Sequence, residues 1–249
     1  MTSLKTKNIC FLAAFLFLTI VPTLARVVNE VKDCKQFLYQ GIPPEIPGVL
    51  VGGNIQDQNT YKVICQTYKD EPRFLTVYDT KNKIPVFSAY EYKGSMGDRS
   101  GITWKIEPQA VNADYKEQNM YDKGHLFPAN HASHQDELDS TFTLTNAVPQ
   151  VDSFNRGRWS QMEYCMKCIV DYFINAHQMK CFVVVGAIPG NTNLNNRVNI
   201  PKVMWSAFYC TNGDSGAYWD FNVKRDPAVP MTRFTLKQLK LALGINPFP

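Results

Sequence analysis

Beyond its first 25 residues the sequence has no apolar run long enough to cross a membrane, which takes roughly 20 residues; the longest runs from Cys181 to Pro189. Charge of one sign is also scarce. Twenty-six Lys and Arg stand against 22 Asp and Glu, a formal net charge of +4, two of it from Lys5 and Lys7. So faint a basic balance does not mark a nucleic-acid binder, and any such function must be argued from a local site. No Asn-x-Ser/Thr sequon is present to test export through glycosylation. A Ser/Gly-rich linker and an internal repeat are likewise missing, which favours one domain. Without an HExxH pattern, the His131/His134 pair at i,i+3 lacks a third ligand at a recognisable spacing, and zinc is not expected.

What the sequence does have begins with an export pattern. Lys5 and Lys7 form a basic start, Ile9 to Val21 an apolar stretch, and Thr23-Leu24-Ala25 a small-x-small cleavage site. Residues 1–25 are therefore expected to be a signal peptide and residues 26–249 a single secreted, extracellular domain without a stable membrane anchor. Cys10 leaves with that segment, and Cys34, Cys65, Cys165, Cys168, Cys181 and Cys210 remain. An even number in an oxidising compartment predicts disulfides with no free thiol. Cys165 and Cys168 lie at i,i+3 within a helical pattern, where Cβ atoms are roughly 5–6 Å apart. A disulfide needs roughly 3.5–4.5 Å, so each is expected to find a separate partner.

Along the chain, 26–40 reads as a short helix that ends before Gly41-Ile42-Pro43-Pro44. Three β-rich runs, 61–66, 74–79 and 86–92, are separated by turn residues and predict an antiparallel meander. Residues 93–119 are polar and irregular, and Trp104 within them is expected to be a core aromatic. The clearest helix covers 155–176, with Trp159, Met162, Met166, Ile169 and Phe173 as its buried stripe. Strands are expected at 181–188, 203–210 and 217–223, and a last helix at 235–243 stopping at Gly244. The class is α+β, a central antiparallel sheet with packed helices.

One stretch organises the chemistry. Asp122-Lys123-Gly124-His125 places a hydrogen-bonding carboxylate, a phosphate-seeking cation, a flexible glycine and a general base in four positions, suited to attack on a phosphodiester. Asn146-Ala147-Val148-Pro149-Gln150 follows, and then a helix opening at Asn155 and carrying Glu163. Together these blocks resemble the DNA/RNA non-specific endonuclease family, whose ββα-metal site is built from Asp-Arg-Gly-His, Asn-x-x-Pro-Gln and an asparagine that opens a helix carrying a later glutamate. The resemblance covers about Thr76 to Trp219, and secreted proteins of the endonuclease domain-containing 1 type look most similar.

The resemblance implies roles. His125 becomes the general base and Asn155 the metal ligand, whose hard carboxamide oxygen suits Mg²⁺, with Mn²⁺ as the alternative ion. Asn146 becomes a supporting residue and Glu163 an acceptor acting through water. Asp122 either orients the imidazole or secures the turn. Lys123 stands where the family carries arginine, keeping the charge and losing the bidentate fork. Arg99 matches the family's upstream arginine only loosely, His131 is a candidate for lining the cleft, and Arg156 and Arg158 are candidate phosphate contacts. The implied protein is a secreted Mg²⁺-dependent endonuclease that hydrolyses DNA and RNA to 5′-phosphate ends. The competing reading is a catalytically weak or inactive secreted binding protein that keeps the nuclease fold.

Overall fold

The structure, a computed structural model, describes residues 25–95, 100–115 and 120–249. The first 24 residues and Arg99 therefore lie outside the described residues. The strands are β1 Ala25–Val28, β2 Leu50–Val51, β3 Asn54–Ile55, β4 Tyr61–Tyr68, β5 Glu71–Asp79, β6 Ile84–Tyr92 and β7 Tyr121–His125. They continue as β8 Ala147–Val151, β9 Cys181–Ile188, β10 Thr192–Leu194, β11 Val198–Ile200, β12 Val203–Cys210 and β13 Ser215–Phe221. Helices α1 Gln135–Thr141, α2 Asp152–Phe154, α3 Ser160–His177 and α4 Leu236–Leu243 complete the α+β fold.

Seven strands form one sheet in the order β1-β4-β5-β6-β9-β12-β13, and every neighbouring pair is antiparallel. The β4-β5-β6 part is the meander expected from the sequence. Both faces of the sheet are covered, so its strands read as nearly continuous apolar runs rather than as alternating ones. Alternation is still present in what each face touches. Val63, Cys65, Leu75, Val77, Phe87, Ala89, Phe182, Val184, Trp205 and Ala207 enter one apolar cluster, with α4 closing it through Leu239. Ile64, Phe74, Tyr90, Tyr92, Val183, Val185, Met204 and Phe208 enter the other, under α3 and the β7-β8 ribbon. Trp205 fits because its cross-strand neighbour is Gly186, where a Cβ would come within 2.4 Å of the indole.

Two expectations fail at the periphery. The 26–40 segment is not one helix; it enters as the edge strand β1 paired to β4 and continues as short 3-10 turns at Val31–Phe37 and Tyr39–Gly41. Pairing with an exposed sheet edge outweighed weak helical periodicity. The cysteines pair as Cys34–Cys65 and Cys181–Cys210, while Cys165 and Cys168 are free and exposed on α3. Helix periodicity places those two opposite the buried Met162, Met166 and Val170, away from the other cysteines. By contrast α4 forms as read, with a Thr235/Gln238 capping box and Gly244 at φ 74° as its C-cap.

Candidate active site

The site is built on a two-stranded ribbon outside the large sheet. β7 pairs antiparallel with β8, setting His125 opposite Ala147, Gly124 opposite Val148 and Asp122 opposite Gln150. His125 is the last residue of β7, and the next two, Leu126 and Phe127, are fully buried. Phe127 stacks on Tyr90 of the sheet at 3.8 Å between centroids and meets Phe74 edge-on at 5.2 Å. The base is thus held by the core anchor that immediately follows it. Gly124 is needed for a close approach and not for flexibility: a Cβ there would lie 2.0 Å from Oε1 of Gln150, the residue that ends the Asn-x-x-Pro-Gln block.

Asn146 fastens this turn from below and is fully buried. Its Oδ1 accepts from the Phe127 backbone N–H at 2.9 Å and from Ser88 Oγ at 3.0 Å. Its Nδ2 donates to the carbonyls of Phe127 and Thr141 at 3.1 and 3.0 Å, and its own carbonyl accepts from the Leu126 N–H. Asn146 thus ties the turn after His125 to the core.

The chain around Asn155 departs from a regular helix. Residues Asn155–Trp159 form a π-type turn between α2 and α3, with Gly157 at φ −101°, ψ −111°. Such turns are frequent at functional sites. Asn155 has helical dihedrals and ends α2, so it is not the N-cap that its residue type suggests. Because the helix is interrupted, a regular-helix distance between Asn155 and Glu163 does not apply, yet both side chains line one cleft. That cleft, of about 270 Å³, is bounded by His125, Pro128, Ala129, Asn130, Asn155, Arg156, Ser160 and Glu163. Of these, Asn130 and Ser160 were not singled out from the sequence, which offers no spacing rule for either.

Asp122 takes neither role expected of it. It lies three positions from His125 along a strand, which puts the two on opposite faces of the ribbon. Its carboxylate instead accepts from Asn155 Nδ2 at 2.9 Å and from Arg156 Nε at 2.8 Å, with Arg156 Nη2 on its other oxygen at 2.5 Å. Although burial pushes its pKa up, these bonds and the guanidinium charge hold it below the usual carboxylate value. Committing the Asn155 nitrogen to Asp122 leaves the carboxamide oxygen as that side chain's remaining donor. With the Glu163 carboxylate across the cleft, the donor set is hard oxygen, which fits Mg²⁺ or Mn²⁺. Among the described residues no three His, Cys, Asp or Glu side chains cluster to cage an ion.

His131 and His134 are structural. His131 is buried, with Nδ1 2.7 Å from the Tyr90 hydroxyl and Nε2 2.9 Å from the Glu163 carbonyl, tying α3 to the sheet rather than lining the cleft. Burial lowers its pKa to about 4. His134 caps α1 by accepting from the Glu137 N–H. Arg156 borders the cleft and is 72% exposed, whereas Arg158 turns away to pair with Asp220 at 2.8 Å. Lys123 is two residues from His125, hence on the same face of β7, and its Nζ sits 5.7 Å from the Trp104 ring centroid. Burial lowers the Lys123 pKa.

A histidine closing the first strand of a ribbon, an asparagine in the turn that leads into the long helix α3, and a cleft between them define a ββα-type nuclease unit. The chain belongs to the DNA/RNA non-specific endonuclease family, whose sequence model matches residues 52–242. It is 24% identical over 256 residues to the human Endonuclease domain-containing 1 protein, covering 86% of this chain and 46% of that one. It is 29% identical over 147 residues to mitochondrial Endonuclease G of Bos taurus, covering 54% and 48%. The chain thus spans less than half the length of these curated relatives. Among solved structures, an EndoG/EndoGI complex matches with a TM-score of 0.57 at 22% identity over 72% of this chain and 84% of that one, a likeness of fold.

Proposed function

We propose that the protein is a secreted, divalent-metal-dependent endonuclease that hydrolyses phosphodiester bonds of DNA and RNA. The observation that carries this reading is the convergence of His125, Asn155, Arg156 and Glu163 on one cleft. His125 accepts a proton from the attacking water, a task for a neutral imidazole at near-neutral pH. Arg156, fixed through Asp122, offers a guanidinium to the phosphate oxygens, and Lys123 adds a second cation on the His125 side. Asp122 engages the Asn155 amide nitrogen, so the carboxamide oxygen is the atom that would hold a cation, and the Glu163 carboxylate lines the same cleft. A Mg²⁺ or Mn²⁺ ion held there would supply positive charge to the phosphate and the departing 3′-oxygen.

Export is part of the same proposal. The two intrachain disulfides support an oxidising compartment, and among the described residues no helix is long and apolar enough to cross a membrane. Recovery from the medium of a chain beginning at Arg26 would check it.

Plasmid cleavage by purified protein, with Mg²⁺ or with chelator, tests the activity. Wild type is expected to nick and linearise only with the ion, His125→Ala to lose roughly 10²–10⁴-fold in rate, and Asn155→Ala to shift the Mg²⁺ titration. A folded wild type that binds nucleic acid without cutting it would leave the binding-protein reading in its place.

A further inference from the structure

Trp104 and Phe142 carry no role in the mechanism above, yet both pack on its base. The Trp104 ring lies 4.7 Å from the His125 ring, centroid to centroid, at 38°, and Phe142 meets the imidazole at 4.7 Å and 79°. The two aromatics also touch each other at 5.3 Å. Their backbones are joined next door: Lys105 N–H donates to the Phe142 carbonyl, Leu144 N–H donates to the Lys105 carbonyl, and Lys105 and Thr143 form a parallel bridge. Two residues further along, the Thr145 hydroxyl donates to the buried Glu107 carboxylate. This strap therefore presents two rings to one imidazole, and its far end is Asn146, which shapes the turn after His125. Lys123 completes the group, with its ammonium over the Trp104 ring within cation–π range.

We propose that Trp104, backed by Phe142, is a positioning residue that fixes the plane of the His125 imidazole and holds the Lys123 ammonium beside it. The inference rests on His125 being the base. Imidazole turns about a soft χ2 torsion, so a base at the end of a strand needs packing to keep one nitrogen aimed at the water. Misplacing a catalytic group by about 1 Å costs on the order of 10²-fold in rate. The alternative use of a half-buried tryptophan beside a nuclease site is as a platform on which a substrate base stacks. The two uses differ in what they move: a positioning residue acts on kcat and only through His125, whereas a platform acts on KM and independently of it.

The test is a double-mutant cycle of Trp104→Ala and His125→Ala, with Trp104→Phe as the conservative variant, read as kcat and KM on one oligonucleotide with Mg²⁺. The His125 Cε1–H resonance, identified by its absence in His125→Ala, is followed in parallel. We expect Trp104→Ala to lower kcat about 10- to 100-fold with KM within about threefold, Trp104→Phe to recover most of the loss, and no further loss in the double variant. The ring-current displacement of the His125 proton should shrink in Trp104→Ala and persist in Trp104→Phe. A rise in KM at unchanged kcat, or effects that multiply in the double variant, would overturn positioning in favour of a substrate platform. Unchanged kcat and an unmoved resonance in Trp104→Ala would show the contact to be idle. If wild type does not cleave, the proposed function falls, and the resonance alone decides whether the aromatic pair holds His125.

Discussion

On β4, β5 and β6 the side chains on the face covered by the Val31–Phe37 turns are Val63, Cys65, Leu75, Val77, Phe87 and Ala89, while those facing the ribbon include Gln66, Thr76 and Ser88 among Ile64, Phe74 and Tyr90. The first face is dry and is pinned by Cys34–Cys65. On the second, Gln66 Nε2 donates to Thr145 Oγ1 at 2.7 Å and to Thr76 Oγ1 at 3.4 Å, Thr76 and Ser88 hydroxyls meet at 3.1 Å, and Ser88 donates to Asn146. A chain of buried hydrogen bonds thus crosses three strands and ends at the turn carrying His125. Hydrophobic burial holds both faces, but it is non-directional. Fixing a turn to within ångströms takes directional bonds, and on β4, β5 and β6 the chain of buried bonds that reaches the turn runs along the face that bears the site.

Breaking each face should separate stability from activity. Trp205→Ala empties the dry face of its largest side chain and should cost about 3–5 kcal/mol, with unchanged cleavage per folded molecule. Asn146→Ala removes a smaller group, but it leaves Ser88 Oγ, the Phe127 N–H and two carbonyls without their partner. That should cost on the order of 2–4 kcal/mol and also lower the rate, because the turn after His125 loosens. Urea unfolding alongside plasmid cleavage at low temperature reads both. If Trp205→Ala loses activity in proportion to Asn146→Ala, the division of labour between the faces is not real.

The sheet was largely legible in the sequence because strands covered on both faces, such as Cys181–Ile188, are written as plain apolar runs. The edge strand β1 was not, since its conformation is decided by β4, more than 30 positions away, and not by its own periodicity. The same distinction holds in the site. His125, Asn155 and Glu163 could be placed by local blocks, and the structure brings them to one cleft. The π-type turn at Asn155–Trp159 was hidden because the residues on both sides keep helical spacing. Asp122 holding Arg156, His131 lodged between Tyr90 and α3, and Trp104 against His125 are contacts between distant segments, and no local pattern announces them.

A finer test uses two buried titrating groups of the site-bearing side. Burial raises Glu107 from its ordinary 4.5 to about 7, although Thr145, Thr143 and Gln66 donate to it. Burial lowers His131 to about 4. For Glu107 the folded state holds the proton more tightly, so its contribution is fully present below about pH 4.5 and is lost as pH rises through about 7. For His131 the folded state resists the proton, so its contribution is present above about pH 6.5 and is lost as pH falls through about 4. Each shift corresponds to on the order of 3 kcal/mol, and over the shared window the two slopes oppose each other. Wild-type stability should be nearly flat from pH 4.5 to 6.5. Glu107→Gln should be stabilised at pH 7.5, neutral near pH 4, and should show the acid-directed loss that His131 leaves uncovered. Urea midpoints at pH 4.5, 6 and 7.5 decide this, and parallel wild-type and Glu107→Gln curves would show that Glu107 does not titrate as its burial implies.

The smallest effect is expected on α3, whose inner side carries Met162, Met166 and Val170 and whose outer side carries exposed Tyr164, Cys165, Cys168 and Tyr172. Four cysteines are closed into disulfides within the two packed layers, where opening Cys34–Cys65 should cost about 2–5 kcal/mol. The α3 pair closes nothing within the chain. Cys165→Ser/Cys168→Ser should therefore alter stability by less than about 0.5 kcal/mol and leave cleavage unchanged. Alkylation of unreduced, denatured protein followed by peptide mapping should label these two thiols and no others. Labelling at Cys34 or Cys65 would contradict the pairing. No labelling at all, with a mass increase that reduction removes, would show that the outer side of α3 carries a thiol from outside this chain, and the size of the increase would tell a small thiol from a second protein.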